Sequence, residues 1–163
     1  MPKLRTFVKF KNFSRTPSYL TKPLSFIQRK FIAKIRLGCL EIRIETGRYA
    51  RPRLTEEART CQVCQSQEVE NEVHFLFNCQ AYQAERLAWT QRLTVPGDFL
   101  NLPEAVKLDL VLNSHINVKL TAQYIINIFD KRSKIVNNLP VPVNAVLYHL
   151  EPHDQCPACN PLA

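Results

Sequence analysis

Glycine is nearly missing from this chain. Three glycines in 163 residues leave no room for a glycine-rich phosphate cradle, whose close backbone approach depends on them. Long apolar runs are missing as well. No stretch approaches the roughly 18 uncharged apolar residues that a membrane-spanning helix needs, and no apolar run follows the basic start as a secretory signal would require. Ser14, Ser18 and Ser25 have no His/Asp set beside them in sequence, so nucleophilic catalysis finds no support. A zinc deaminase pattern is excluded too: Phe75 and Leu76 follow His74, and Gln155 precedes Cys156, where that chemistry needs His-x-Glu and Pro-Cys-x-x-Cys.

Negative charge is the next absence. The first forty residues contain no carboxylate, Glu41 being the first, yet they carry ten Lys/Arg. Residues 1–59 hold fifteen Lys/Arg against four Asp/Glu, a balance of +11, whereas residues 60–163 hold seven against ten, a balance of −3. Charge segregated in this way attracts polyanions, so contact with RNA or DNA through the basic N-terminal half is expected. The alternative is a solvated basic surface. A basic, hydroxyl-bearing, acid-free start also fits a mitochondrial presequence, although Pro2, Pro17 and Pro23 limit a long amphipathic helix there. Six cysteines in a chain without an export signal favour metal over disulfides. The expected setting is intracellular, nuclear in preference to cytoplasmic, with the mitochondrion as the alternative.

What the sequence does contain is concentrated in nineteen residues. Cys61, Cys64, His74 and Cys79 form C-x2-C-x9-H-x4-C, a set of soft ligands suited to one tetrahedral zinc ion. A Cys-x-x-Cys pair can also be a redox dithiol, a disulfide or two small buried residues. The redox reading needs a strand-to-helix context that Arg59-Thr-Cys-Gln-Val-Cys-Gln-Ser66 does not show. The disulfide reading needs a secreted chain. With four protein ligands and no open position, the zinc is expected to be structural rather than catalytic. A second set, His149, His153, Cys156 and Cys159, offers another zinc site. Pro152, Pro157 and Pro161 crowd it, and its competing reading is an irregular tail with incidental ligands. Cys39 has no partner by sequence and is expected to be a small buried residue.

Eleven prolines beside three glycines point to a helical middle between irregular ends. Residues 1–22 are expected to form a flexible basic arm bearing Phe7, Phe10, Phe13 and Tyr19, which either stack on bases or dock on a neighbouring domain. Residues 23–136 form the zinc-binding helical domain, with its core at 59–93, and 137–163 a Pro-rich tail. Ser25-Phe-Ile-Gln28 is a capping box, so a helix begins there. Ile27, Phe31 and Ile35 then define its apolar stripe, bordered by Leu24, and Gly38 its stop. Arg29, Lys30, Lys34 and Arg36 lie off that stripe and offer a cationic face. Leu40-Glu-Ile-Arg-Ile-Glu45 alternates as a short strand would, giving a strand or hairpin near 40–49. Residues 51–57 are a linker. Helices are expected over Val69–Leu93, with Phe75, Tyr82, Leu87 and Trp89 as apolar bulk, from Pro103 to Leu112, and over Val118–Val136. Pro96-Gly97-Asp98 reads as a turn. Lys131, Arg132 and Lys134 would complement the helix dipole near the last C-terminus. The fold class is therefore mainly α, a small zinc-stapled domain.

Arg36-Leu-Gly38, Glu45-Thr-Gly-Arg-Tyr49, Cys61-Gln-Val-Cys64 and Val69-Glu-Asn-Glu-Val-His-Phe-Leu-Phe-Asn-Cys79, with Tyr82 and Arg86, resemble the zinc-binding C-terminal region of non-LTR (LINE-type) retrotransposon reverse transcriptases. The resemblance covers roughly residues 26–136 and is most specific at the Cys/His core with Glu70 and Glu72. It implies an accessory segment that follows a polymerase and helps hold template RNA or target DNA, with Cys61, Cys64, His74 and Cys79 as zinc ligands. Polymerase chemistry itself is not expected. No two of the four aspartates are adjacent, whereas phosphoryl transfer by two metal ions needs paired carboxylates, and there is no endonuclease region. On charge alone, Arg36, Arg48, Arg51 and Arg53 are candidates for backbone contacts.

Three functions follow as expectations. The first is a non-catalytic, zinc- and nucleic-acid-binding module. The second is a zinc-stabilised protein-interaction fragment that packs on a polymerase domain. The third is a retrotransposon relic without activity.

Overall fold

A computed structural model of the chain describes Leu4, Thr6, Val8 and residues 16–95, 99–114 and 116–139. The architecture is mainly helical, and among the described residues there is no sheet, only an isolated antiparallel bridge between Thr60 and Val69. In chain order from Ser18 the α-helices among the described residues are α1 (Ser18–Thr21), α2 (Phe26–Leu37), α3 (Arg43–Thr46), α4 (Gln83–Thr90), α5 (Glu104–Leu112) and α6 (Val118–Asn137). Helix α6 is the spine, against which α1, α2, α4 and α5 all pack. None of the described helices is long and apolar enough to cross a membrane. The second ligand set expected from sequence, His149, His153, Cys156 and Cys159, lies outside the described residues, as do most of the N-terminal arm, the Pro96–Asp98 turn and nearly all of the tail.

Helix α2 begins where the capping box places it. The Gln28 N–H donates to Ser25 Oγ at 3.2 Å, and the Ser25 N–H donates to Gln28 Oε1 at 3.0 Å. It ends at Gly38, whose left-handed φ of 67° lets the Cys39 N–H reach back to the Lys34 carbonyl at 2.9 Å, closing a Schellman turn. Cys39 itself is exposed, not buried as its lack of a sequence partner implied, because the turn swings it outward. The buried face of α2 also differs from the expected stripe: Ile32, Ile35 and Arg36 point inward, while Ile27 is half exposed. Phe31 meets Phe129 of α6 edge-on at 5.2 Å.

The expected strand at 40–45 is not a strand. Its alternation does bury Leu40, Ile42 and Ile44 completely, but the backbone bonds are local. The Ile42 N–H donates to the Leu40 carbonyl at 2.8 Å, and α3 starts at Arg43. Ile44 instead donates to the Glu70 carbonyl at 3.0 Å. A period of two identified the buried positions correctly and the conformation wrongly, since among the described residues there is no neighbouring strand to pair with.

The helical segment expected over 69–93 consists of a π-helical turn (His74–Asn78), a 3-10 turn (Gln80–Tyr82) and α4. Leu87 is exposed, whereas Phe75, Tyr82 and Trp89 are buried. Helices α5 and α6 match their expected spans. The aromatic core lies between α4 and α6, where Trp89 stacks on Tyr124 with centroids 4.2 Å apart and rings 4° from parallel. The Tyr124 hydroxyl donates to the Leu76 carbonyl at 2.7 Å, inside the π-helical turn, so the segment carrying two ligand residues is anchored on the spine.

Candidate metal centre

The loop from Thr60 to Val69 folds back on itself as a knuckle. The Cys61 N–H donates to the Glu68 carbonyl at 2.8 Å, and the Glu70 N–H donates to the Arg59 carbonyl at 2.9 Å. Closing so tight a loop forces Gln65 and Gln67 to positive φ, 55° and 63°, a conformation that side-chain-bearing residues adopt at some cost. The reversal brings Cys61 and Cys64 to one side of the loop.

His74 and Cys79 come from the π-helical turn opposite. On a regular α-helix, residues five apart diverge by about 140° around the axis, too far to share one ion. Here the Cys79 N–H donates to the His74 carbonyl at 2.8 Å, an i to i+5 bond, and Cys79 leaves the turn in an extended conformation (φ −59°, ψ 120°). The widened turn is what brings these two ligands together, and such turns recur at functional sites. Arg86 fixes the exit by donating to the Cys79 carbonyl at 2.9 Å.

The ligand atoms of Cys61, Cys64, His74 and Cys79 all lie within 4.8 Å of one another. Cys61 Sγ is 4.0 Å from Cys79 Sγ, and Cys64 Sγ is 3.4 Å from His74 Nε2. Tetrahedral coordination at ordinary metal–ligand lengths predicts about 3.8 Å between two thiolates and about 3.6 Å between thiolate and imidazole. The Cys3His cluster can therefore hold a metal ion with little rearrangement. His74 Nδ1 lies 2.7 Å from Glu68 Oε2, which leaves Nε2 as the nitrogen facing the sulfurs. This carboxylate–imidazole pair orients a metal-ligating histidine and raises its basicity. Sequence reading missed Glu68; its placement six residues before the histidine, across a closed loop, has no fixed-spacing signature.

Without an ion the cluster shares its protons unevenly. The hydrogen bond from Cys79 holds the Cys61 thiol down to about 3 against the effect of burial, and His74 assists. Burial works to lower the imidazole pKa, but its bonds to Cys61 and Glu68 outweigh that and push it up to about 9. Cys79 is raised well above the ordinary thiol range by its bond to Cys61 and by burial. Any metal that enters must displace the protons on Cys79 and on His74 Nε2, so binding is linked to proton release.

Glu70 ties the knuckle to the rest of the molecule. It is fully buried and accepts from Arg132 Nε and Arg132 Nη2 of α6, both at 2.7 Å, and from the Arg43 N–H at 2.6 Å. Arg132 was expected to serve the helix dipole; it is instead a buried, two-pronged partner of Glu70. Lys131 likewise turns back to the Ala81 carbonyl and Glu85. Lys134 pairs with Asp130 on the surface.

The seven candidate nucleic-acid contacts separate into two groups. Arg29 donates to the Tyr19, Leu20 and Leu24 carbonyls. Arg36 is buried and donates to the Leu112 carbonyl and to Asn113. Arg48 pairs with Glu45 at 3.2 Å, and Lys34 pairs with Glu41. These four are engaged with partners in the fold. Lys30, Arg51 and Arg53 are exposed. The chain matches no protein-family model, no curated protein and no solved structure.

Proposed function

We propose that this chain is a non-catalytic module in which a structural zinc ion, held by Cys61, Cys64, His74 and Cys79, shapes a surface that binds RNA or DNA. The observation that carries the metal half is the closeness of three thiols and one imidazole. Zinc is the metal chosen because a tetrahedral, thiolate-rich set with a histidine suits it and leaves no position for substrate. The nucleic-acid half rests on the +11 balance of residues 1–59, on Lys30, Arg51 and Arg53 being exposed, and on the resemblance to the accessory region of LINE-type reverse transcriptases. In that reading the partner beside it is a polymerase domain.

Two measurements test the halves separately. Atomic-emission analysis of purified protein should give about one zinc per chain, lost in Cys64→Ser. A second zinc would move attention to His149, His153, Cys156 and Cys159. Gel shifts with single- and double-stranded oligonucleotides should show binding that weakens steeply with salt; neutralising about five duplex phosphates predicts a fall of roughly 4 to 5 in log affinity per tenfold salt. Binding indifferent to salt would sink the nucleic-acid half. A second reading, a zinc-stabilised protein-docking fragment, is favoured by the exposed Leu20 and Phe26, the latter 77% accessible. It predicts little nucleic-acid affinity and self-association of the isolated chain.

A further inference from the structure

The stretch between Gly47 and Leu54 is irregular but held at several points. The Leu54 N–H donates to the Gly47 carbonyl at 3.2 Å. Arg59 is buried and donates through Nη2 to the Leu54 carbonyl at 2.9 Å and through Nη1 to the Ile44 carbonyl at 3.1 Å. Gly47 makes room for it: a Cβ there would come 2.6 Å from Arg59 Cγ. Arg59 also accepts from the Glu70 N–H and stands two residues before Cys61. The loop is thus strapped to the metal knuckle by one guanidinium.

On this braced loop Tyr49 presents its side chain to solvent, 70% accessible, and Arg51 and Arg53 follow it, both exposed. The Tyr49 hydroxyl donates to Glu45 Oε1 at 3.3 Å, which tethers the ring at its polar end. The charge of Glu45 is already matched by Arg48. Two of the three exposed members of the cation set therefore sit within four residues of an exposed aromatic ring, on a segment whose ends are fixed.

We infer that residues 49–53 are a contact for single-stranded nucleic acid, with Tyr49 stacking on an unpaired base and Arg51 and Arg53 holding adjacent phosphates. The inference rests on the nucleic-acid reading above and narrows it. A base in a duplex is covered by its neighbours, whereas an unpaired base offers its face to a ring; aromatic platforms flanked by cations bind single strands in this way with little regard to sequence. The preference for single strands comes from Tyr49, and the salt dependence from the arginines.

The test uses the full metal-loaded chain and fluorescence anisotropy with a short labelled oligothymidine, alone and annealed to its complement. Tyr49→Ala should weaken single-strand binding on the order of tenfold and leave the salt slope unchanged. Tyr49→Phe should restore affinity, since the ring face stacks and the hydroxyl does not. The double variant Arg51→Ala/Arg53→Ala should reduce the salt slope by about 1.4, about 0.7 for each lost phosphate contact on a single strand. All three positions are exposed, and thermal melts of the variants should match the parent. If the parent chain binds neither oligonucleotide, the nucleic-acid reading fails and this inference with it. If the parent binds but Tyr49→Ala and the arginine pair bind equally well, the loop assignment alone is overturned. A preference for the duplex that Tyr49→Ala does not alter would overturn the single-strand assignment.

Discussion

Between Arg59 and His74 the buried side chains are Arg59, Cys61, Glu70, Glu72, Val73 and His74, of which only Val73 is plain hydrocarbon. Along α6 the buried set includes Val118, Ala122, Tyr124, Ile125 and Ile128. The two regions touch, yet different forces hold them. The helical core gains roughly 1.5–3 kcal/mol for each large apolar side chain fully removed from water. The knuckle has almost nothing of that kind. It relies on directional bonds: ligand atoms converging on one point, a carboxylate on an imidazole, and the Glu70–Arg132 pair. With a metal ion bound as proposed, its stability would depend on chemistry that can be withdrawn, by a chelator or by one lost ligand, while the helices would keep theirs.

The largest expected effect breaks that contrast at its centre. Chelation, or Cys79→Ser, should remove on the order of 10 kcal/mol of metal-linked folding free energy from the knuckle. Hydrogen exchange read by mass spectrometry should then show residues 60–74 losing protection while the middle of α6 retains it. Uniform loss across both regions would show that they fold as one unit. Next in size is Glu70→Gln, which leaves the Arg132 guanidinium buried without its counter-charge. Stranding one member of a buried pair costs about 3–5 kcal/mol, measurable by chemical denaturation at saturating metal. A change below about 1 kcal/mol would mean that water reaches Arg132 and that the pair is not the tie between the regions. Smaller, and on the other side of the comparison, Ile128→Ala should cost about 2–5 kcal/mol by opening a cavity in the helical core. Zinc per folded chain should stay unchanged in that variant, because Ile128 supplies no ligand.

How far the sequence could be read follows the same division. The Cys3His cluster was legible because soft donors are rare and their spacing in the sequence suits one small ion. The turn that gathers two of them was not, since a four-residue gap between His74 and Cys79 reads as ordinary helix until the i to i+5 bond is seen. The capping box at Ser25 and the spans of α5 and α6 were legible because they depend on neighbours within one turn of chain. The strand near 40–45 was misread for the complementary reason. Alternation records which side chains are buried, and a strand additionally needs a partner from elsewhere.

Charge shows the limit most plainly. By itself the sequence determined that the N-terminal third is strongly cationic and that a Cys3His set is present, because composition and short spacing are properties of the chain as written. Only the tertiary structure decided that Arg29, Arg36, Arg48 and Arg132 are occupied in holding carbonyls and carboxylates while Arg51 and Arg53 face solvent. A guanidinium has the same charge in either role. What separates the roles is which acceptors lie within about 3 Å of it, and those acceptors come from residues as many as 77 positions away, as with Arg36 and the Asn113 side chain.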